Sequence, residues 1–379
     1  MAAAKVFVFA PSDPTGESQR RLEEAGCEVV QGKAGWHDPR GDNEEEIRLL
    51  AQGSHALAGT SIRSSPITRR IMESSDRLRI VAKYTIGVDD VDVDAATEMG
   101  ILVTHGPTES NWGGVAEGTM AMMLALLKKV RERDEQMKRG NWRAEGLQGT
   151  YLGARLDGWP GITIGLVGLG RIGARVAEML RPWRVRVIAH DPYVPRDRFA
   201  LVGVPSVDYQ TVLRESDVVS FHVVLTKQTH HMVGAEALAM MKPSAYLINT
   251  SRGAVVDEAA LADALRRDVI AGAALDVFED EPLAKDSLLP TLGHKVMLSP
   301  HMVSSNLGSG LKPGVEWATE SVLLALQGKV PDNVYNKEVI PRWLERFGGR
   351  PVLEEALVAR RAQTLVGAAS RLTTGSSAY

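Results

Sequence analysis

The sequence predicts an α/β fold in which two doubly wound parallel sheets form two domains. Short apolar runs with the length of buried strands alternate with mixed segments typical of helices that cover a sheet. A glycine-rich turn joins one such strand to a helix near the middle of the chain. The length of 379 residues exceeds what one hydrophobic core usually supports, and the alternation occurs on both sides of that turn.

The first hundred residues alternate in this way and predict one small α/β unit. The predicted strands are residues 6–10, 56–59 and 78–82, and the predicted helices are residues 18–25, 44–51 and 67–74. Residues 115–130, rich in Ala, Met and Leu, predict a helix that is too apolar to face solvent. We therefore expect this helix to lie between domains or between subunits.

The second half of the chain repeats the alternation. The predicted strands are residues 162–167, 185–189, 218–224, 245–249, 272–277 and 295–298, and the predicted helices are residues 174–180, 259–267 and 317–327. Strands separated by helices indicate a parallel sheet with its ligand at the carboxyl ends of the strands. The tail, residues 350–379, is rich in Ala, Arg, Ser and Thr and predicts a frayed helix and disorder.

Composition argues against several classes of partner. A formal net charge of −3 favours neither nucleic acid nor an acidic membrane. Cys27 is the single cysteine, so an intrachain disulfide and a cysteine-rich metal site are excluded, and we expect no metal. No apolar run has the length of a signal peptide core or a membrane span, which predicts a cytoplasmic location.

The glycine turn predicts a dinucleotide site. Gly168 suits the tight turn, Gly170 lets the backbone approach a pyrophosphate, and Gly173 lets the helix pack on the strand. The helix N-terminus offers free N–H groups and a partial positive charge to the phosphates. Asp191 follows the next predicted strand, where its carboxylate can accept hydrogen bonds from ribose hydroxyls and repel an extra phosphate. The pattern therefore favours NAD over NADP.

Three later strands run into side chains suited to a redox reaction. Arg252 is a planar donor fork that matches a carboxylate, and His301 exchanges protons near neutral pH. The acidic run at 279–281 could supply a carboxylate that favours the imidazolium. With a nicotinamide, these groups would reduce a 2-oxo acid. A surface arginine, a solvated acidic loop and a turn histidine remain the structural alternatives.

From residue 78 to residue 336 the chain resembles the D-isomer-specific 2-hydroxyacid dehydrogenase family. The matching segments are residues 87–89, 94–96, 100–101, 115–117, 167–173, 241–243, 248–257, 275–278, 281–283 and 299–301. They occur in the order of the family, and the run at 248–257 is the most specific. The resemblance covers about two thirds of the chain.

The resemblance implies an architecture and an activity. A Rossmann NAD-binding domain, residues 109–305, would be inserted into a flavodoxin-like substrate-binding domain made of residues 1–108 and 306–349. The enzyme would interconvert a small 2-oxo acid and its D-2-hydroxy acid. It would be a homodimer, with the helix at 115–130 supplying much of the contact.

The resemblance also assigns roles to residues. Arg252 would bind the substrate, His301 would be the acid/base, and Glu281 would be its partner. The residues expected to contact the coenzyme are Gly168, Gly170, Arg171, Ile172, Gly173, Asp191, Val223, Thr250, Ser251, Arg252 and Asp276. Those expected to contact the substrate are Tyr84, Thr85, Ile86, Arg252 and His301.

Some residues depart from the family pattern and leave the substrate open. Tyr84, Ile86 and Trp112 are large, so they would alter the shape of the pocket or simply pack between the domains, and a larger aromatic 2-oxo acid would exploit Tyr84 and Trp112. Glyoxylate and hydroxypyruvate also remain open. Phosphoglycerate is doubtful as the substrate, because the arginine with which the family binds it has no secure counterpart here. Either Thr60 or Arg63 could occupy that position. An alternative function on the same fold is an NAD(H)-sensing interaction protein, like the corepressor relatives of the family.

Overall fold

The computed structural model describes residues 3–33, 43–60, 66–307 and 311–353. The chain divides into two compact units: unit 1 comprises Met1–Asn111 and Gly308–Tyr379, and unit 2 comprises Trp112–Leu307. The predicted tail lies outside the described residues from position 354 onwards, and so does Arg63.

Parallel strands alternate with helices along the whole described chain. The strands are β1 (Ala4–Ala10), β2 (Cys27–Gln31), β3 (Ala56–Gly59), β4 (Ile80–Lys83), β5 (Leu102–Thr104), β6 (Thr163–Val167), β7 (Arg186–His190), β8 (Val218–Phe221), β9 (Tyr246–Asn249), β10 (Gly272–Leu275) and β11 (Val296–Leu298). The helices are α1 (Glu17–Glu24), α2 (Glu44–Ala51), α3 (Arg69–Met72), α4 (Val93–Met99), α5 (Glu109–Leu127), α6 (Val130–Lys138), α7 (Arg171–Leu180), α8 (Arg196–Val202), α9 (Tyr209–Glu215), α10 (Ala235–Met240), α11 (Glu258–Arg266), α12 (Lys312–Leu326) and α13 (Ile340–Phe347).

The sheet of unit 1 is parallel throughout, with the strand order β2-β1-β3-β4-β5. This is the flavodoxin-like order, whose direction of winding changes between β1 and β3. The side chains of strand β1 show that helices cover both faces of this sheet. Val6 and Val8 belong to the core on the side of α12, whereas Phe7 and Phe9 belong to the core on the side of α2 and α3. Both faces of the strand are therefore apolar, as expected of a strand inside a doubly wound sheet.

The sheet of unit 2 is also parallel, with the order β11-β10-β9-β8-β6-β7. An isolated parallel bridge pairs Ala189 of β7 with Ser206 on the outer side of the strand. The chain winds outward from β6 through β7 to this bridge, then crosses to β8 on the other side of β6. This is the Rossmann order, and its switch point lies between β6 and β8.

The predicted fold class is confirmed, since the chain forms two parallel sheets with helices on their faces. Strands β2 and β5 and helices α4, α6, α8, α9, α10 and α13 were not predicted, because they are short or lack a long apolar periodicity. Strand β8 ends at Phe221, so Val223 lies in the following loop. Within the described residues, no helix is long and apolar enough to cross a membrane.

Candidate active site

The six strands of unit 2 end level with one another. Their registers pair, in turn, His190 with Val167, Val167 with Phe221, Phe221 with Asn249, Asn249 with Leu275, and Leu275 with Leu298. The next residue along each strand is, from one side of the sheet to the other, Asp191, Gly168, His222, Thr250, Asp276 and Ser299. Neighbouring strands lie about 4.8 Å apart, so these residues form a row roughly 24 Å long at the ligand-binding edge.

The glycine turn leads from β6 into α7. Gly168 has φ 98°, and a Cβ on it would lie 2.5 Å from the carbonyl oxygen of His222. A Cβ on Gly173 would lie 2.1 Å from the carbonyl oxygen of Gly168, so the first turn of α7 packs directly on the loop. Both positions require glycine because of these close approaches.

Gly170 stands at the N-cap of α7 and, unlike Gly168 and Gly173, has room for a Cβ atom. Its φ is −70°, which any residue can adopt. Apart from its chain neighbours, no heavy atom of the described part of the chain lies within 4 Å of the Cβ that a side chain there would carry. The space in front of Gly170 is therefore open, at the positively polarised end of a helix. Because this space is open, the turn can accommodate a pyrophosphate there. The neighbouring residue, Arg171, is exposed.

Asp191 ties the glycine turn to the loop after β7. Its Oδ2 accepts the N–H of Leu169 at 2.8 Å, and its Oδ1 accepts the N–H groups of Tyr193 at 2.9 Å and Val194 at 3.3 Å. A carboxylate has about four acceptor positions. Three are used by the backbone, so the geometry leaves room for about one hydrogen bond from a ligand hydroxyl.

The loop that carries Arg252 is rigidly attached to the end of β9. Asn249 Oδ1 accepts the N–H of Ser251 at 3.0 Å and its hydroxyl at 2.7 Å, while Asn249 Nδ2 donates to the carbonyl oxygen of Arg252 at 2.8 Å. A Cβ on Gly253 would lie 1.8 Å from the carbonyl carbon of Phe278. Glycine therefore allows the Arg252 loop to contact the loop that follows β10.

A carboxylate and an imidazole meet at the next two loops. Glu281 Oε2 and His301 Nδ1 are 2.8 Å apart, and Glu281 Oε1 accepts the N–H of Phe278 at 3.0 Å. The Glu281 side chain is 15% exposed, whereas that of His301 is 45% exposed. Because Nδ1 faces the carboxylate, Nε2 is the ring nitrogen that can exchange a proton with a ligand. His301 adopts φ 56°, a strained conformation that is often found at functional sites.

One buried carboxylate anchors the loop that carries His301. Asp276 Oδ1 accepts the Ser299 hydroxyl at 2.6 Å and the N–H of Met302 at 2.9 Å, and both carboxylate oxygens lie 3.3 Å from the N–H of Val303. Burial raises the pKa of Asp276, and the hydrogen bond from Ser299 opposes this change. The His301 loop is thus held on both sides of the histidine.

His222 lies directly behind the glycine turn. Its Nε2 is 3.0 Å from the Ser220 hydroxyl, while its Nδ1 is shielded from solvent and has no hydrogen-bond partner among the described residues. Burial lowers the pKa of His222 to about 4, so the ring is neutral at pH 7. Its position against Gly168 makes it part of the support of the turn.

Strand β4 ends at Lys83, and residues 83–87 form the loop of unit 1 that contains the expected substrate contacts Tyr84, Thr85 and Ile86 (the substrate loop). The ring of Tyr84 lies in the hydrophobic core of this unit and is 5% exposed, and its N–H donates to the carbonyl oxygen of Gly59 at 2.9 Å. The ring therefore packs inside the unit, which agrees with the packing alternative left open by the sequence. By contrast, the N–H groups of Thr85 and Ile86 have no acceptor among the described residues.

The base of the substrate loop is closed by a buried ion pair. The ammonium group of Lys83 contacts the carboxylate of Asp90, and their side chains are 0% and 1% exposed. The same ammonium group lies 5.4 Å from the centre of the Phe9 ring. Charges buried in this way hold the two ends of the loop together.

The structure brings Arg252, Glu281 and His301 onto adjoining loops in unit 2. Several supporting residues were not singled out from the sequence, namely Asn249, Ser299, His222 and Thr119, whose hydroxyl lies 2.9 Å from that of Thr250. The first three stand at strand ends, so the rule that predicted Arg252 and His301 could have found them. Thr119 lies inside an apolar helix, and no local pattern indicates its role.

Comparison with known proteins identifies the family. The profile of the D-isomer specific 2-hydroxyacid dehydrogenase, NAD binding domain, matches residues 120–303. A glyoxylate reductase from Korarchaeum cryptofilum is 37% identical over 308 residues, which cover 80% of this chain and 90% of that protein. The chain belongs to the D-isomer-specific 2-hydroxyacid dehydrogenase family. The resemblance stated from the sequence is confirmed.

Other members of the family extend the comparison. A D-3-phosphoglycerate dehydrogenase from Methanocaldococcus jannaschii is 36% identical over 340 residues, covering 89% of this chain and 60% of that protein. The crystal structure of D-lactate dehydrogenase from Aquifex aeolicus, complexed with NAD and lactic acid, superposes with a TM-score of 0.75. The two sequences are 28% identical, and the match covers 87% of this chain and 98% of that one. This protein is an NAD-dependent dehydrogenase that acts on the CH–OH group of a 2-hydroxy acid.

Proposed function

We propose that this protein interconverts a small 2-oxo acid, such as glyoxylate, and the corresponding D-2-hydroxy acid. The observation that supports this most is the 2.8 Å contact between Glu281 and His301 at the sheet edge that also carries the glycine turn and the Arg252 loop. The names of the relatives, glyoxylate reductase and D-lactate dehydrogenase, support the same class of substrate.

The coenzyme site is proposed along the row of strand ends in unit 2. When bound, NADH supplies the hydride and NAD⁺ accepts it. The residues proposed to contact the coenzyme are Gly168, Gly170, Arg171, Ile172, Gly173, Asp191, Val223, Thr250, Ser251, Arg252 and Asp276. The open space in front of Gly170 supports the placement of the pyrophosphate. The carboxylate of Asp191 would repel a 2′-phosphate, which favours NAD over NADP.

The acid/base chemistry is assigned to two side chains. In reduction, Nε2 of His301 donates a proton to the carbonyl oxygen of the substrate, and the carboxylate of Glu281 stabilises the imidazolium before that transfer. After the transfer, the proton on Nδ1 keeps its hydrogen bond to Glu281, so the ring keeps its orientation. Arg252 presents a planar donor fork to the substrate and polarises its carbonyl group.

Unit 1 is proposed as the substrate-binding domain and unit 2 as the NAD-binding domain. The bounds expected from the resemblance, residues 1–108 with 306–349 and residues 109–305, differ from those of the units by two or three residues at each junction. The N–H groups of Thr85 and Ile86 are the proposed donors to the substrate carboxylate. Their lack of an acceptor among the described residues supports this role, because a backbone donor normally finds a partner.

We further propose that the protein is a cytoplasmic homodimer. Helix α5 buries much of its surface within its own protomer, whereas α6 has no buried residue. Large apolar side chains are exposed on α6 and the segment after it, namely Val130, Met137, Trp142, Tyr151 and Trp159. The dimer contact predicted for residues 115–130 would then extend over this surface. Sedimentation as a monomer at micromolar concentration would contradict the proposal.

The activity is tested with a panel of 2-oxo acids. NADH oxidation is followed with glyoxylate, hydroxypyruvate, pyruvate and phenylpyruvate, and each assay is repeated with NADPH. We expect turnover with small 2-oxo acids and a preference for NADH. Tight NADH binding without turnover of any substrate would instead favour the NAD(H)-sensing interaction protein.

The roles of Glu281 and His301 are tested by the pH dependence of reduction. In Glu281→Gln the protonated ring loses its anionic partner, so the loss of reduction with rising pH should begin at lower pH than in the wild type. The matched control is Asp280→Asn, which removes the same charge from the same loop at an exposed position. An identical profile in Glu281→Gln and the wild type would remove Glu281 from its proposed role.

A further inference from the structure

A histidine in unit 1 contacts the substrate loop from behind. His105 follows β5, and its Nδ1 lies 3.3 Å from the carbonyl oxygen of Ile86. A carbonyl oxygen can only accept, so Nδ1 carries the proton in this contact. The residue is half-buried and lies outside the Arg252, Glu281 and His301 network described above.

The position of the His105 ring is well defined. Its backbone N–H donates to the carbonyl oxygen of Asn333 at 3.3 Å, and the Asn333 side-chain amide donates back to the carbonyl oxygen of His105. The Ser321 hydroxyl donates to Asn333 Oδ1 at 3.0 Å and fixes that amide. The ring itself meets the ring of Tyr335 edge-on, with centroids 5.8 Å apart. These contacts leave the imidazole little freedom to turn away from Ile86.

A second contact from the same segment holds the neighbouring peptide. The N–H of Gly106 donates to the carbonyl oxygen of Thr85 at 2.9 Å. In a planar trans peptide the C=O and the following N–H point in opposite directions. Fixing the carbonyl oxygen of Thr85 therefore turns the N–H of Ile86 away from Gly106. In the same way, His105 fixes the plane of the peptide between Ile86 and Gly87.

We propose that His105 is a positioning residue of the substrate loop, which limits rotation of the backbone at Ile86 by holding its carbonyl oxygen and so steadies the loop that carries the donor N–H groups. This inference rests on the proposed role of the loop in binding the substrate carboxylate. His105 does not itself contact the substrate, and its effect passes through the peptide planes of residues 85–87. Loss of the contact should therefore weaken substrate binding and leave the coenzyme site in unit 2 unchanged.

Two substitutions separate the hydrogen bond from the bulk of the ring. His105→Asn keeps a donor, since its amide nitrogen is attached to Cγ just as Nδ1 is, whereas His105→Leu places a methyl group there. We expect His105→Leu to raise KM for the 2-oxo acid about tenfold, because misaligned donors lose hydrogen bonds to a charged group. We expect KM in His105→Asn within about twofold of the wild type, and kcat to change little in either variant.

Two measurements without turnover accompany the kinetics. NADH affinity, followed by fluorescence titration, should be equal in all three proteins. Amide hydrogen exchange of the peptide spanning residues 83–88 should accelerate in His105→Leu and return towards the wild-type rate in His105→Asn. Unchanged KM and unchanged exchange in His105→Leu would overturn the inference. If the wild type reduces no 2-oxo acid, the proposed function fails, while the exchange rates still decide whether His105 orders the loop.

Discussion

An alanine at position 170 should leave the fold intact and strongly weaken coenzyme binding. The φ of Gly170 is −70°, and no described heavy atom beyond its chain neighbours lies within 4 Å of the new methyl group. Stability should therefore change by less than about 1 kcal/mol, since a Gly→Ala change at an allowed conformation mainly affects the unfolded chain. The methyl group would occupy the space proposed for the pyrophosphate. Loss of two charge-assisted hydrogen bonds costs about 3 kcal/mol or more, which weakens NADH binding about 100-fold.

The assay compares urea unfolding without coenzyme with fluorescence titration of NADH. Gly234→Ala is the matched control, because Gly234 also precedes a helix of unit 2, and the nearest atom to its added Cβ is 3.8 Å away. Gly173→Ala should instead destabilise the protein by about 1–3 kcal/mol, because the added Cβ would lie 2.1 Å from the carbonyl oxygen of Gly168. Wild-type NADH affinity in Gly170→Ala would refute the placement of the coenzyme.

Three further predictions concern single side chains, one in unit 1 and two in unit 2. Lys83→Met removes the ammonium group that contacts the buried Asp90 carboxylate, so the free energy of unfolding measured in urea should fall by about 3–5 kcal/mol, and adding Asp90→Asn should restore part of it. The pKa of His222 is lowered to about 4 in the folded protein, so between about pH 6.5 and pH 4 the unfolded state binds more protons than the folded state. The free energy of unfolding should therefore fall by up to about 3 kcal/mol as the pH is lowered through that range. His222→Asn should lose this contribution, and an unchanged pH slope would contradict it. Arg252→Lys keeps the charge but loses the planar fork, so kcat/KM should fall about 100-fold in steady-state assays.

Much of the fold could be predicted because strands buried on both faces are continuous apolar runs. The strand predicted at 56–59 coincides with β3, and the helix predicted at 44–51 coincides with α2. Strand β2 was not predicted because it lies at the edge of its sheet and exposes Glu28 and Gln31, so its pattern is mixed. Strand β5 spans three residues, which is too short for any periodicity to be recognised.

The candidate site could be predicted in part because residues after parallel strands share one edge of the sheet. That rule pointed to Arg252, His301 and an acidic run of three residues. The family resemblance selected Glu281 from that run, and the 2.8 Å contact with His301 agrees with that choice. Tyr84 could not be placed from the sequence, because whether a ring points into the core or into a pocket depends on the packing around it.

The amino-acid sequence alone determined the fold class, the dinucleotide turn and the set of side chains at the strand ends. Each of these follows from local order, namely the period of apolar residues, the spacing of glycines and the residue after a strand. The tertiary structure decided which of these side chains meet, and which loops hold them. It revealed the hydrogen bonds by which Asp276 anchors the His301 loop and the contact of His105 with the carbonyl oxygen of Ile86. Such contacts join residues far apart in the chain, and they depend on strand register and loop path, which no local pattern encodes.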